Sequence, residues 1–325
     1  MERIAIVAAA RTPIGKFLGS LSPLSAVELG TAAVTAALAR CGVAPTDVDE
    51  VWMGQARQLG SGPNPARQVA IAAGCGDGAV ATTVNKACGS SLKAIDLARS
   101  AILLDGRRVV VAGGMESMTN IPFLLPGFRQ GYRLGHVDVL DGNYKDGFTC
   151  GVLGEPMGMT AEYLADDYGI TRGQQDEYAL ESHRRAEAAQ RAGRFDEEIA
   201  AVTVRAKRQE VEVRADEHVR HGVALQDLAK LPPVFRPDGG TVHAGNSSGI
   251  TDGAAAVVLM PESELERRGA EPLAWLGASA TAGVAPRVMG IGPVPAVKRL
   301  CEKTGRGLGD FDLVELNEAF AAQML

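Results

Sequence analysis

Apolar runs alternate with stretches of helical spacing over the first 119 residues of the chain. Short apolar or β-branched runs predict strands at 3–10, 47–53, 80–85 and 109–112, and apolar positions at helical spacing predict helices at 25–41, 65–73 and 90–103. The run at 109–112 is apolar throughout, which is typical of a strand covered on both faces. The order βαβαβαβ predicts a mixed or parallel sheet in an α/β fold.

This alternation breaks at residue 120 and resumes after residue 243. The intervening stretch is first rich in glycine, proline and aspartate and then predicts a long charged helix at 173–194. Beyond it we expect strands at 254–260, 272–280 and 312–316 and a helix at 295–303. We therefore predict an N-terminal half at 1–119, completed by a strand at about 250–262, an inserted domain at 120–246 and a C-terminal half at 270–325.

The end of the chain repeats part of its beginning. Gly42, Asp47 and Asp49 recur as Gly305, Asp310 and Asp312 in the same helix-turn-strand order, which indicates a duplication. The second copy has no counterpart of the strand at 80–85 or of the turn and helix that follow it. Because a half-domain without its central strand exposes apolar edges, we expect the second half to be incomplete before Leu325.

Composition and charge narrow the class of protein. The chain is 46% hydrophobic and 22% charged with a formal net charge of −6, so it has no general electrostatic footprint for nucleic acid. No stretch approaches the roughly 18 uninterrupted apolar residues of a membrane span. The first ten residues form an apolar β-type segment without a basic targeting region. We expect a cytoplasmic protein with neither nucleic acid nor membrane as a partner.

Five cysteines stand at positions 41, 75, 88, 150 and 301, without a C-x-x-C pair. This odd number at irregular spacings indicates neither a disulfide framework nor a metal site. Most of them are expected to be small buried apolar residues. Cys88 differs, because the segment VNKACGSSLKA at 84–94 leads from a strand through a small-residue turn into a helix.

This arrangement around Cys88 predicts a nucleophile elbow in cysteine form. The positive end of a helix dipole favours the thiolate of a thiol placed there, and the thiolate is the nucleophile. Small neighbouring residues let a carbonyl group approach and leave backbone N–H groups to bind an oxyanion. The alternative for Cys88 is a buried apolar cysteine.

Seven ordered segments resemble the thiolase family. They are IVAAARTPIG at 6–15, NKACGSSLKA at 85–94, AGGMESM at 112–118, MGMTAE at 157–162, GTVHAGNSSG at 240–249, GPVPA at 292–296 and NEAFA at 317–321. The resemblance implies a thiolase-like five-layered αβαβα fold of two similar βαβαβαββ halves with an inserted loop domain, in a homodimer or homotetramer. It also implies acyl transfer between a cysteine thioester and coenzyme A or acetyl-CoA, by Claisen condensation or 3-oxoacyl-CoA thiolysis, in lipid metabolism.

The resemblance assigns roles to individual residues. It implies that Cys88 is acylated, that its N–H contributes to an oxyanion site, and that Asn317 holds a water near the enolate oxygen. For coenzyme A it implies Arg220 at the nucleotide phosphates, Ser248 at the pantetheine, and Met157, Phe235 and Phe320 in the tunnel walls. Coenzyme A is then a substrate, and we expect no cofactor and no metal.

Each coenzyme A assignment has a plainer alternative. Arg220 also fits a solvated surface arginine, and Ser248 also fits a turn residue beside a glycine. Phe235 and Phe320 also fit ordinary core positions.

Two departures from the thiolase pattern affect this interpretation. Pro156 stands where acetoacetyl-CoA-forming members typically carry histidine, which puts short-chain specificity in question. Thiolases follow Asn-Glu-Ala-Phe with a glycine-rich turn bearing a catalytic histidine and then a Cys-x-Gly motif, and neither occurs before Leu325. The five histidines present, at 136, 183, 218, 221 and 243, have no motif that ties them to Cys88, so solvated or capping roles are expected. We therefore expect the C-terminal catalytic segment to be lacking.

Two alternatives to an active thiolase stay open. One is a truncated, non-catalytic thiolase-fold protein or partner subunit. The other is a different condensing enzyme, such as a ketoacyl synthase, against which the segments at 240–249 and 317–320 argue.

Overall fold

The computed structural model describes residues 2–206 and 209–325, so Met1, Lys207 and Arg208 lie outside the described residues. The chain divides into two compact units. The first comprises Met1–Gly147, Phe195–His218 and Ile250–Leu276, and the second comprises Phe148–Arg194, Val219–Gly249 and Gly277–Leu325. The segment at 120–246, predicted as an inserted domain, contributes residues to each unit. The domain boundaries stay a prediction.

The described residues form strands in the first unit and helices in both. The strands are β1 (Ile4–Arg11), β2 (Gly15–Lys16), β3 (Glu50–Gly54), β4 (Val80–Val84), β5 (Val110–Ser117), β6 (Phe123–Leu124), β7 (Leu140–Asp141), β8 (Val202–Ala206), β9 (Gln209–Val213), β10 (Thr251–Pro261) and β11 (Ala274–Trp275). The helices are α1 (Ala26–Cys41), α2 (Pro65–Ala72), α3 (Ser90–Asp105), α4 (Met157–Tyr168), α5 (Arg172–Arg191), α6 (Leu225–Ala229), α7 (Glu262–Arg268), α8 (Pro293–Thr304) and α9 (Ala321–Met324). No helix in these ranges is long and apolar enough to span a bilayer.

A mixed sheet organises the first unit. Its strand order is β11-β1-β10-β5-β3-β4, with β2 paired to β10. Strand β3 runs parallel to both β4 and β5, whereas β10 runs antiparallel to β1 and β5. Because β3, β4 and β5 are parallel, their carboxyl ends meet at one edge of the sheet. The predicted mixed sheet is confirmed.

Apolar side chains cover both faces of this sheet. Val111 packs in one cluster with α1 and α2, whereas Val110 and Ala112 pack in another with α3. Burying a side chain such as Val111 completely stabilises a fold by about 1.5–3 kcal/mol relative to leaving it exposed. This confirms that the apolar run at 109–112 is covered on both sides.

Helix α1 shows how local sequence sets the ends of an element. The Ser25 hydroxyl accepts the Glu28 N–H at 3.2 Å, and the Glu28 carboxylate accepts the Ser25 N–H at 2.8 Å. Gly42 ends the helix at φ +64°, a conformation that glycine adopts without a steric cost. The predicted boundaries 25–41 therefore match the helix and its cap.

The second unit is built from helices and turns. Helix α5 matches the charged helix predicted at 173–194, and α8 matches the helix predicted at 295–303. The strand predicted at 312–316 is wrong: these residues pair with no described strand, and Leu313 is 86% exposed. A strand forms only where a neighbour satisfies its backbone groups. The strand predicted at 272–280 is reduced to β11, which pairs with β1.

Candidate active site

Cys88 lies in the first unit, in the turn between β4 and α3. Its side chain is exposed, which excludes the alternative of a buried apolar cysteine. The preceding residue, Ala87, has φ +46°, a left-handed conformation that is uncommon for a residue with a side chain. The strand, turn and helix predicted around Cys88 are therefore present, and its role as nucleophile stays a prediction.

The Ser90 hydroxyl holds this turn together. It accepts a hydrogen bond from the Lys86 N–H at 2.8 Å and donates one to the Ala87 carbonyl at 2.6 Å. Ser90 itself is buried. Within the described residues, the Cys88 N–H donates to no carbonyl and to no side chain. This N–H is available to stabilise an oxyanion that forms beside the thiol.

Two glycines allow the start of α3 to lie against the sheet. Gly54 of β3 and Gly114 of β5 are register partners. A Cβ atom at Gly54 would lie 2.6 Å from the Ser90 carbonyl carbon, and one at Gly114 would lie 2.0 Å from the Ser91 Oγ atom. At Gly54 the backbone of Ser90 and Ser91 fills this space, so a larger residue there would push the elbow off the sheet, whereas at Gly114 it would meet the Ser91 side chain.

Glu116, near the end of β5, lies at the same edge of the sheet. Its carboxylate accepts the N–H groups of Ala56 at 2.9 Å and Arg57 at 3.2 Å. Burial raises its pKa to about 7, against the effect of these two bonds. The sequence analysis gave Glu116 no role. The position of an acidic residue four places after the apolar run at 109–112 is the sequence feature that could have indicated it.

The other predicted site residues lie in the second unit. The Ser248 N–H donates to the Ala319 carbonyl at 2.9 Å, and the Ala321 N–H donates to the Asn246 carbonyl at 2.9 Å. These bonds hold the segments at 246–248 and 317–321 side by side. Ser248 and Asn317 are both exposed in this arrangement.

Phe235 and Phe320 form an aromatic wall next to these segments. Their ring centroids lie 6.4 Å apart at an interplanar angle of 86°. Both rings are partly buried and pack against the cluster that contains Ala161 and Val242. A Cβ atom on Gly158 would lie 2.1 Å from the Phe235 ring, so the ring covers the start of α4. The two aromatic residues thus belong partly to the core and partly to a surface.

Met157 and Arg220 complete the set predicted for coenzyme A. Met157 is half-buried at the first position of α4, and its carbonyl accepts the Thr160 hydroxyl at 2.7 Å. Arg220 is exposed, and its Nη2 atom donates to the Ala244 carbonyl at 3.3 Å. The guanidinium therefore lies against the turn that leads to Ser248, with donors left to face solvent.

Two buried acids shape the segment at 240–249. The Glu162 carboxylate accepts the N–H groups of Thr241 and Val242, each at 2.9 Å. Asp176 Oδ1 lies 2.6 Å from His243 Nε2 and accepts the Asn246 side-chain amide at 3.1 Å. Charged groups that are fully buried normally carry such partners. The sequence analysis had not connected either acid with this segment.

A solvated role is wrong for His243, whose side chain is completely buried. Its Nδ1 atom accepts the Gly245 N–H at 3.0 Å, so its proton is on Nε2, which faces Asp176. Burial lowers its pKa, against the effect of Asp176. A neutral imidazole with both nitrogens bound cannot accept a proton from a substrate.

Cys88 therefore lies in one unit, and Asn317 and the coenzyme A residues lie in the other. Within residues 2–206 and 209–325, no three histidine, cysteine or acidic side chains cluster as ligands for a metal ion.

Comparison with known proteins identifies the family. The family model "Thiolase, N-terminal domain" matches residues 4–263, and "Thiolase, C-terminal domain" matches residues 270–325. The acetyl-CoA acetyltransferase of Cupriavidus necator is 49% identical over 326 residues, which cover 100% of this chain and 83% of that protein. The Escherichia coli acetyl-CoA acetyltransferase is 46% identical, covering 100% of this chain and 82% of its own length.

Solved structures agree with this assignment. The Bacillus anthracis acetyl-CoA acetyltransferase superposes with a TM-score of 0.97 at 42% identity, covering 100% of this chain and 82% of that one. The Syntrophomonas wolfei acetyl-CoA acetyltransferase superposes with a TM-score of 0.97 at 39% identity, covering 100% of this chain and 81% of that one. These matches confirm the α/β thiolase fold class and thiolase-type acyl transfer, and the alternative of a ketoacyl synthase is set aside. The chain belongs to the thiolase family.

Proposed function

We propose that Cys88 takes an acyl group from a coenzyme A thioester and that acetyl-CoA and acetoacetyl-CoA are among the substrates. The observation that carries the proposal is the elbow itself: an exposed thiol at the start of α3, beside its own N–H without a partner in the described residues. The relatives named acetyl-CoA acetyltransferase support acetyl groups as the acyl chain. If longer acyl chains react faster, Pro156 is the residue to substitute, because it stands where acetoacetyl-CoA-forming members typically carry histidine.

The acylation step needs the thiolate of Cys88 and the thioester. The Cys88 thiolate attacks the thioester carbonyl carbon, and the oxyanion that forms is stabilised by the Cys88 N–H. The carbon–sulfur bond to coenzyme A then breaks, and the departing thiolate takes up a proton. The acyl group on Cys88 then passes either to the thiolate of coenzyme A or to the α-carbon of a second acetyl-CoA, from which a base has removed a proton. In both cases the carbon–sulfur bond to Cys88 breaks and the Cys88 thiolate is released. We propose no metal and no cofactor for this sequence, because a thioester carbonyl is already a good electrophile.

The second unit supplies the coenzyme A site in this proposal. Arg220 offers exposed donors that suit a phosphate, and Ser248 offers a hydroxyl beside the aromatic wall. Met157, Phe235 and Phe320 present apolar surface for the pantetheine. Asn317, exposed next to these groups, would hold the water that faces the enolate oxygen.

We further propose that His243 is not the general base of this reaction. Its side chain is completely buried, and both of its ring nitrogens are bound, to Asp176 and to the Gly245 N–H.

Peptide mass mapping after incubation with acetyl-CoA tests the function. We expect one acetyl group on Cys88 in the parent and in Cys301→Ala, and none in Cys88→Ala. Acetyl groups on another cysteine, or retained in Cys88→Ala, would contradict the assignment. Acetoacetyl-CoA thiolysis, measured beside the Cupriavidus necator relative, then tests whether acetoacetyl-CoA is a substrate, and a protein that acetyl-CoA acylates but that does not cleave acetoacetyl-CoA would contradict that part of the proposal.

We also propose a homodimer or homotetramer. Strand β4 pairs only with β3 among the described strands, which leaves its β-branched edge for another chain. The segment between β6 and β7 exposes Phe128, Leu134 and Val139. Exposed apolar side chains concentrated in one segment are typical of an interface. Sedimentation equilibrium would show a single monomeric species if this proposal is wrong.

A cytoplasmic location is the last part of the proposal. The five cysteines form no disulfide in the described residues, which suits a reducing compartment. Cell fractionation with an antibody against the chain would test it.

A further inference from the structure

One peptide group links Glu116 to the nucleophile elbow. The Arg57 N–H donates to Glu116 Oε1 at 3.2 Å, and the carbonyl on the same peptide group, that of Ala56, accepts the Asn85 side-chain amide at 3.0 Å. Asn85 Oδ1 in turn accepts the Ala87 N–H at 3.0 Å. A continuous chain of hydrogen bonds therefore runs from a buried carboxylate to the residue that precedes Cys88.

Every donor in this chain points towards Glu116. An ionised carboxylate is the strongest acceptor available, and each polarised group strengthens the next bond of the chain. The last bond holds Ala87, whose left-handed backbone at φ +46° persists only where its surroundings impose it. The charge on Glu116 therefore affects how firmly the elbow keeps its shape.

The groups around Glu116 set when this charge is present. Arg57, from the loop after β3, favours the ionised form, and Asp252, on β10, opposes it. Asp252 is itself held by the N–H and hydroxyl of Thr119 at 3.0 and 2.6 Å. Because burial dominates and brings the pKa of Glu116 to about 7, both protonation states are populated near neutral pH.

We propose that Glu116 is a positioning residue for Cys88: through the Ala56–Arg57 peptide group and Asn85, its carboxylate holds the elbow in the shape in which the thiol reacts. The consequence for acyl transfer rests on the function proposed above, whereas the geometric claim concerns the thiol alone.

The test measures the rate at which iodoacetamide alkylates Cys88 as a function of pH. In the parent we expect the ionisation of Glu116 to appear as a step near neutrality, in addition to the ionisation of the thiol. In Glu116→Gln this step is absent, because the glutamine side chain does not ionise. The rate of Cys88 alkylation at alkaline pH falls about three- to tenfold, which corresponds to the loss of one hydrogen bond. The proposal would be overturned if the parent's alkylation rate showed a single ionisation and Glu116→Gln gave the same profile.

Glu50→Gln is the matched control. Glu50 is also buried, also on the sheet, and also has a pKa raised by burial, but it lies at the opposite end of β3, where its Oε2 is 3.2 Å from Arg107 Nε. Its replacement leaves the step in the Cys88 profile unchanged. A step lost equally in both variants would mean that general loosening of the sheet controls Cys88.

Asn85→Ala provides a second test that does not depend on how Glu116→Gln folds. It removes the link between the peptide group and Ala87, so the step near neutrality disappears although Glu116 is intact. In a protein that carries both Glu116→Gln and Asn85→Ala, the two decreases in alkylation rate do not add, because both substitutions break the same chain of hydrogen bonds. A step that persists in Asn85→Ala would overturn the proposed route.

Acetylation of Cys88 is measured on the same proteins. Alkylation requires no coenzyme A, so a profile that depends on Glu116 in a protein that acetyl-CoA does not acylate would support the positioning role while rejecting the function. Acylation of Cys88 by acetyl-CoA with the same pH dependence in the parent and in Glu116→Gln would support the proposed function and reject the positioning role.

Discussion

His243 Nε2 lies 2.6 Å from Asp176 Oδ1, and both side chains are buried. The same Asp176 carboxylate accepts the Asn246 side-chain amide, and the Asn246 carbonyl accepts the Ala321 N–H. This pair therefore supports the turn that carries Ser248 and its contact with the segment at 317–321. His243 acts here as a structural donor.

We expect His243→Gln to cost about 1–3 kcal/mol of unfolding free energy at neutral pH, because buried partners lose their hydrogen bonds. The pKa of His243 is lowered in the folded protein, so the unfolded chain binds a proton first as the pH falls. The parent therefore loses stability below about pH 6.5, and the variant lacks this part of the loss. Urea unfolding at several pH values measures both effects, with the exposed His136→Gln as control.

Cys88 should be the first of the five thiols to react with iodoacetamide. It is exposed at a helix start, whereas burial raises the pKa of Cys41 and of Cys75. Cys150 and Cys301 are only partly accessible. Limited labelling and peptide mapping measure the order, and earlier labelling of any other cysteine in the folded protein would exclude Cys88 as the most reactive thiol.

Ser90→Ala should weaken the elbow. It leaves the Lys86 N–H without its partner, which costs about 1–3 kcal/mol, and it frees the Ala87 carbonyl. We expect the alkylation and acetylation rates of Cys88 to fall together. Ser100→Ala is the control, because Ser100 lies on the same helix and its hydroxyl donates to the Asp96 carbonyl at 3.1 Å, away from the elbow. Equal effects of the two substitutions would argue against a specific role for Ser90.

Arg220→Ala should weaken coenzyme A binding about tenfold or more, as expected for a charge-assisted hydrogen bond of about 1.5–3 kcal/mol. Pantetheine, which lacks the nucleotide phosphates, should bind the parent and the variant equally. Calorimetric titration measures both ligands. Arg214→Ala, which removes another exposed arginine that pairs with Glu212 at the surface, should change neither affinity. Unaltered coenzyme A affinity in a folded Arg220→Ala protein would remove Arg220 from the site.

Gly158→Ala should displace the Phe235 ring, since the new Cβ would lie 2.1 Å from it. The cost of such overpacking is about 1–3 kcal/mol, and the contact between Phe235 and Phe320 is lost with it. Gly173→Ala is the control within a helix, because the nearest atom to its Cβ lies 4.0 Å away. That substitution should be neutral or stabilise by up to about 1 kcal/mol. Urea unfolding compares the stabilities of the two variants. Equal stability would show that the Phe235 ring moves aside without cost.

The sequence alone was sufficient wherever neighbouring residues decide the structure. Strands β1, β3, β4, β5 and β10 and helices α1, α2 and α3 follow from the pattern of apolar residues, and Ser25 and Gly42 cap the two ends of α1. The elbow around Cys88 was readable because strand, small-residue turn and helix are contiguous. The thiolase family was recognisable from the order of short segments, which does not depend on the fold.

Tertiary structure decided what depends on residues distant in sequence. Asn85 and Glu116 act on one peptide group only because parallel strands bring their ends together. His243 is structural because Asp176, on another element, faces it across a buried contact. The segment DLVEL at 312–316 was predicted as a strand but has no described strand beside it, so it forms none in the structure. Local pattern specifies which conformation a segment prefers, whereas burial, hydrogen-bond partners and pKa depend on what the fold places next to it.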